Sequence, residues 1–211
     1  MTKTDIYIAL LGDVIDSRQL APHQRARLQT QLRASLSEFN RRWRQHLVGK
    51  FAVTRGDEFE CLLAEPLVVW DVAHAIRAQF LEVDWIIACG RGTLTTPPPR
   101  NRTPPAPELD GPCFHAARAA LDAAKAEHRV FAFSGFGDQV DSLAAYYSAL
   151  YWSWTTRQRR VACGLRFWDY DEALQRLGVH PTAVSHMKRR LAWPLVAAGD
   201  TMFQAALREA S

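Results

Sequence analysis

Between Ile6 and Gly135 the hydrophobic period switches repeatedly between that of a strand and that of a helix. The order of those switches restricts the fold more than any other feature. "IYIALLGDV" (Ile6–Val14) is apolar on both faces, as expected of a central strand. From Pro22 to about Leu47 the spacing is helical, with Leu28, Leu32, Leu36 and Phe39 at three- and four-residue steps among Arg and Gln. "FAVT" and "DEFECLLA" are two short strands around Arg55-Gly56, a dipeptide suited to a tight hairpin turn. Pro66 opens a second helix, with Val69, Val72, Ala73, Ile76 and Phe80 along one stripe. "WIIACGRGTLT" is strand material, the alanine-rich "PCFHAARAALDAAKAEH" a helix, and "RVFAFSG" a further strand.

The resulting order, β-α-β-β-α-β with one more α-β, predicts an α+β fold built on a ferredoxin-like antiparallel sheet. In that topology the first and third strands are neighbours. Asp13, ending the first, then comes close to Asp57, expected at the start of the third.

"TPPPRNRTPPAPELDG" cannot be helix or central strand and is expected to form an exposed, mobile loop. After Gly135 the chain becomes rich in aromatics and helical in pattern. "DYDEALQRLGVHPTAVSHMKRRLAW" reads as two short helices around Gly178-Val179. The expected division is a first domain over residues 1–136 and an all-α helix-turn-helix domain over 137–211.

Composition sets bounds on function. Hydrophobic residues at 48% and charged residues at 23% of 211 are those of a globular protein with ample core. The apolar run near the N-terminus is broken by Asp13, too short for a membrane span and without a small-residue cleavage site. Cys61, Cys89, Cys113 and Cys163 are far apart and lack CxxC spacing, which argues against a disulfide framework or zinc knuckle. A cytoplasmic protein that does not enter membranes is expected, and the "RGD" at 55–57 is then incidental.

Two carboxylates meeting at a strand end suit Mg²⁺ or Mn²⁺, because hard cations choose oxygen ligands. Such ions stabilise charge in phosphoryl transfer. Gly12 and Gly56 directly precede the two acids and are expected to leave room for a ligand to approach the backbone. Ser17 and Arg18 stand before the first helix, where free N–H groups favour phosphate. Glu58 and Glu60 alternate with Phe59 and Cys61, so at least one is expected to face solvent or cap the sheet. The alternative for Asp13 and Asp57 is a turn or capping role, common for Asp after Gly.

The segments "LGDVIDSR", "TRGDEFE", "GRGTLTT" and "DGPCFHAARAAL", followed by a C-terminal helix-turn-helix, resemble the SatD family of bacterial proteins. The N-terminal part is also similar to class III nucleotidyl cyclase domains and, more distantly, to GGDEF diguanylate cyclases. That resemblance implies metal binding by Asp13 and Asp57 and a phosphate-binding turn at Ser17. It also implies that Arg118, in "FHAAR", contacts phosphate across a dimer interface. The departures matter as much. Phe114 stands where cyclases carry a ribose-orienting asparagine, Val53 where an adenine-selecting lysine would be, and Arg55 where GGDEF has its first glycine. Loss of that positioning removes the orientation on which cyclisation depends.

Between Tyr151 and Trp193 basic residues far outnumber acidic ones, the electrostatic footprint of phosphate-backbone binding. "LGVHPTAVSHMKRRL" resembles a module of the sigma-factor region-four type, with a recognition helix starting near Pro181. Thr182, Ser185, His186, Lys188, Arg189 and Arg190 are its candidate DNA contacts. The expected function is a homodimeric bacterial regulator. In it a degenerate cyclase-like domain binds a metal–nucleotide or phosphorylated ligand and modulates DNA binding. The alternatives are an active two-metal nucleotidyl cyclase or nucleotidyltransferase, and a dimerising scaffold fused to a DNA- or protein-binding module.

Overall fold

The computed structural model describes residues 5–99 and 101–210. Sequence expectations that touch residues 1–4, Arg100 in the proline-rich stretch, and Ser211 lie outside the described residues. Five strands form one mixed sheet: β1 (Tyr7–Val14), β2 (Leu47–Arg55), β3 (Glu58–Leu63), β4 (Trp85–Gly92) and β5 (Phe131–Ser134), in spatial order β2-β3-β1-β4-β5. β1 runs antiparallel to both β3 and β4, and β2 antiparallel to β3. β5 alone pairs in parallel, against β4.

The two-sided apolarity of β1 has a direct cause: helices cover both faces of the sheet. Ile8, Leu10 and Val14 pack with α1 (Pro22–Arg42) and α2 (Val69–Gln79), through Leu28, Leu32, Val72 and Ile76. Ala9 and Leu11 face the other way, onto Cys113, Ala117 and Leu121 of α3 (Pro112–Ala126). The same alternation continues on β3, where Phe59, Cys61 and Leu63 join the first layer and Leu62 the second.

The β2–β3 hairpin closes one residue later than the sequence predicts. Arg55 pairs with Glu58, so Gly56 and Asp57 are the two turn residues. Gly56 has φ +61°, a left-handed conformation that costs glycine nothing. Asp57 therefore belongs to the turn and not to the third strand.

The proline-rich stretch is not loose along its whole length. Lys50 N–H donates to the Pro104 carbonyl at 2.7 Å, and Pro105 bridges to Lys50. Pro104 and Ala106 are buried. The second half of the stretch thus docks on β2 and covers the open edge of the sheet, which would otherwise expose unpaired backbone groups.

Beyond β5 come α4 (Asp138–Ser153), α5 (Thr156–Phe167), α6 (Tyr170–Leu177), α7 (Pro181–Arg190) and α8 (Trp193–Glu209). Trp154 and Thr155 separate α4 from α5; the Thr155 hydroxyl accepts from Gln158 N–H, and the Gln158 side chain accepts from Thr155 N–H. One continuous apolar cluster includes Ile8 and Phe131 of the sheet together with Tyr147, Cys163 and Phe203 of these helices. It runs across position 136. Buried Arg77 on α2 ties the layers together, donating from Nη2 to the carbonyls of Trp85 (2.9 Å) and Val130 (2.7 Å). All four cysteines are buried and free. Among the described residues no helix is long and apolar enough to cross a membrane.

Candidate functional site

A cleft of about 1190 Å³ opens where β1 ends beside the β2–β3 turn. Its walls include Asp13, Ser17, Arg18, Asp57 and Arg118, all five residues that the sequence singles out for metal or phosphate. They come from four separate segments of the chain.

Strand parity sets the acidic side of the cleft. Gly12 pairs with Phe59 on β3 and Ile87 on β4, so its position faces the α1–α2 layer, and Asp13 turns towards α3. Glu58 and Glu60 share the parity of Leu62 and face α3 as well. Both are buried, at 8% and 9% exposure, so of the two expected roles, facing solvent or capping the sheet, the first does not hold. A Cβ on Gly12 would overlap the Phe59 ring. The glycine therefore makes room for a core aromatic and not for a ligand.

α3 supplies matching cations. Arg118 donates from Nη1 and Nη2 to the two oxygens of Glu58, at 2.7 and 2.6 Å, and the Thr54 hydroxyl adds a third bond at 2.8 Å. Two turns further along the helix, Lys125 Nζ lies 2.9 Å from Asp13 Oδ2. Sequence reading gives Glu58 no partner and does not mark Lys125. The available signal was spacing: an acid two residues from Glu60 and four from Leu62, and a cation seven residues from Arg118.

The two carboxyls titrate in opposite directions. Burial raises the Asp13 pKa; Lys125 offsets part of this, while the charges of Asp57 and Glu58 add to it. Burial pushes Glu58 upward too, but the hydrogen bonds from Arg118 and Thr54 outweigh it and hold its pKa below the usual range.

Asp57 Oδ2 is buried and has no hydrogen-bond partner among the described residues. An unengaged carboxylate oxygen in the same cleft as Asp13 has the donor chemistry that hard divalent cations take. Ser17 and Arg18 stand on a separate 3-10 turn (Ser17–Gln19), not at the N-terminus of α1, which begins at Pro22. They line the cleft from this short turn, just ahead of the first helix. Phe114 is not part of the cleft wall, being packed in the core between α3 and the sheet.

At the other end of the chain, α6 and α7 are joined by Gly178 (φ +61°) to His180. Thr182, Ser185, His186, Arg189 and Arg190 are exposed on α7. Lys188 is half-buried, its Nζ 5.0 Å from the centre of the Tyr170 ring. The positive excess is partly neutralised: Arg159, Arg160, Arg166 and Arg176 pair with Asp84, Glu82, Asp200 and Glu172.

The SatD family profile matches residues 7–132, from β1 into β5. The chain belongs to the SatD family. The SatD match contains every residue of the acidic cleft named above and ends before α4. No curated protein matches the chain.

Proposed function

We propose that the cleft takes a metal-bound nucleotide or a related phosphorylated ligand, and that its occupancy biases DNA binding by α6–α7 in a cytoplasmic, homodimeric regulator. The observation that carries this is the convergence of Asp13, Ser17, Arg18, Asp57 and Arg118 on one cleft. The block β2-β3-β1-β4, antiparallel at every pairing, supports a ferredoxin-like, cyclase-like palm. The short turn between α6 and α7 and the exposed side chains of α7 support a helix-turn-helix.

Asp13 and Asp57 are the residues that would hold Mg²⁺ or Mn²⁺, which supplies charge neutralisation to a bound phosphate. Lys125, once released from Asp13, is a mobile cation at the same wall. Arg18, on the facing turn, is exposed and lines the cleft without an ion pair among the described residues. Phe114 and Val53 supply no polar group to orient a ribose or base, which favours binding over cyclisation.

Isothermal titration of the whole chain with a nucleotide panel and Mg²⁺ tests the reading. Binding that is lost in Asp13→Ala with Asp57→Ala supports it, and no binding by the wild type sinks it. Fluorescence anisotropy with duplex DNA tests the second half. Arg189→Ala should weaken binding across sequences and lower the salt slope by about 1.

The orphaned Asp57 Oδ2 favours one second reading, an active two-metal nucleotidyl cyclase or nucleotidyltransferase. Incubation with each nucleoside triphosphate and Mn²⁺, read by mass spectrometry, separates the two. A product that disappears in Asp57→Ala would replace the sensing role with an enzymatic one.

A further inference from the structure

Two helices of the last layer carry almost no charge on their outer sides. From Ser142 to Ser153 on α4 there is no charged residue. From Trp193 to Leu207 on α8 there is one, Asp200, which accepts from Arg166 Nε and Nη2 at 2.7 and 2.9 Å. A helix that faces water shows it a charged and polar side, and one that is apolar all round is covered. Yet Tyr146 is 68% exposed, Leu195 74% and Met202 59%, the three most exposed large hydrophobic side chains among the described residues.

α4 and α8 are in contact and run antiparallel. The Arg166 guanidinium lies over both Trp154, just past the end of α4, and Trp193, at the start of α8. Phe133 packs on both Phe136, just before α4, and Phe203, in the second half of α8. On α8, Leu195 and Met202 share one stripe with Gly199 between them. Glycine weakens a helix interior, and nothing in the chain requires it here, because a Cβ on Gly199 would meet no atom within 4 Å. Its absence leaves room for a second helix to come close.

The surface is complementary to a copy of itself. Tyr146 stands at the middle of α4, and Gly199 close to the middle of α8. One two-fold axis across both midpoints sets Tyr146 against its own counterpart and Leu195 near the partner's Met202. Charge agrees with that axis. Asp138 opens α4 and Arg157 follows its far end, both exposed and without an ion pair among the described residues. The axis brings each towards the other across the contact. The helices, of 16 and 17 residues, are roughly 25 Å long and lie side by side, so their joint face approaches the ~800 Å² per partner of a specific dimer. We propose that α4 and α8 form the interface of a homodimer, an antiparallel four-helix bundle built from two copies of the chain. This locates the homodimer of the function proposed above, but rests on surface chemistry and not on the ligand of the cleft.

Sedimentation equilibrium of the full chain from about 1 to 100 µM tests it, with a dimer of twice 23.8 kDa expected. Gly199→Leu points a side chain off this face into open space, so the monomer should unfold cooperatively while dimerisation weakens at least about tenfold. Should that variant fail to fold, Met202→Lys takes its place, with the same loss expected. Tyr146→Cys should form a disulfide-linked dimer with diamide, since the native cysteines are buried, and Asp138→Cys at the far end should not. A monomer throughout the concentration range would overturn the proposal. So would a dimer untouched by the Gly199 and Met202 variants, or a chain that stays monomeric and binds neutral phosphatidylcholine vesicles instead. Calorimetric nucleotide titration of the same samples reads the cleft separately, so either proposal can fail alone.

Discussion

Lys125 Nζ stands 2.9 Å from Asp13 Oδ2, joining the last turn of α3 to the end of β1 across the mouth of the acidic cleft. A tethered ammonium thus stands at the carboxylate proposed to hold a divalent cation. Its presence keeps two converging acids from meeting without compensation.

Replacing that ammonium should therefore open the site to metal. Lys125→Gln is expected to raise Mn²⁺ affinity about tenfold, the loss of one close positive charge being worth roughly 1–2 kcal/mol at a half-buried position. Calorimetry or the Mn²⁺ electron-spin signal reads this directly. Unchanged or weaker binding would show that Lys125 does not compete at Asp13.

Asp13 itself should be a stability liability. Its pKa is raised, first by burial, so the folded chain holds the proton more tightly than the unfolded one. The ionised form therefore costs stability above the folded pKa, and that cost vanishes below the unfolded value. Asp13→Asn keeps an oxygen for Lys125 and is expected to gain on the order of 1 kcal/mol at pH 7. The gain should shrink as pH falls through the carboxylate range, as urea unfolding at several pH values will show.

Glu58 should behave in the opposite sense. Burial alone would raise its pKa, but Arg118 and Thr54 bring it below the ordinary value. Its contribution is present above the unfolded pKa and is lost as pH falls through the folded one. Glu58→Gln is expected to cost about 2 kcal/mol at neutral pH and much less in acid. The figure is below that of a fully buried pair because the Arg118 side chain is 42% exposed.

The Gly12–Phe59 contact should be intolerant of added volume. Gly12→Ala places a methyl group inside the Phe59 ring and is expected to cost about 1–3 kcal/mol by overpacking. Combining it with Phe59→Leu should recover part of the loss, a coupling that a double-mutant cycle measures. Strict additivity would mean that the ring does not set the requirement for glycine.

The elements themselves were legible because each rests on local periodicity. Leu28, Leu32, Leu36 and Phe39 mark the buried stripe of α1 from spacing alone, and all four are buried. The adjacency of β1 and β3 followed from element order, and with it the approach of Asp13 towards the hairpin. Residues whose roles depend on a distant partner were harder to read. Glu58 and Arg118 are 60 positions apart, and nothing local distinguishes a paired, buried glutamate from a solvated one.

The sequence by itself determined most of the strand and helix segments and the adjacency of β1 and β3, which sets Asp13 and Asp57 on one cleft. These are consequences of steric period and chain connectivity, which act over a few residues. Only the tertiary structure decided that Asp57 is a turn residue, that Lys125 and Arg118 answer Asp13 and Glu58, and that Gly12 serves Phe59. Those outcomes depend on where α3 lies across the sheet and how deeply each carboxylate is buried. Packing and desolvation settle both, and each couples residues far apart in the chain.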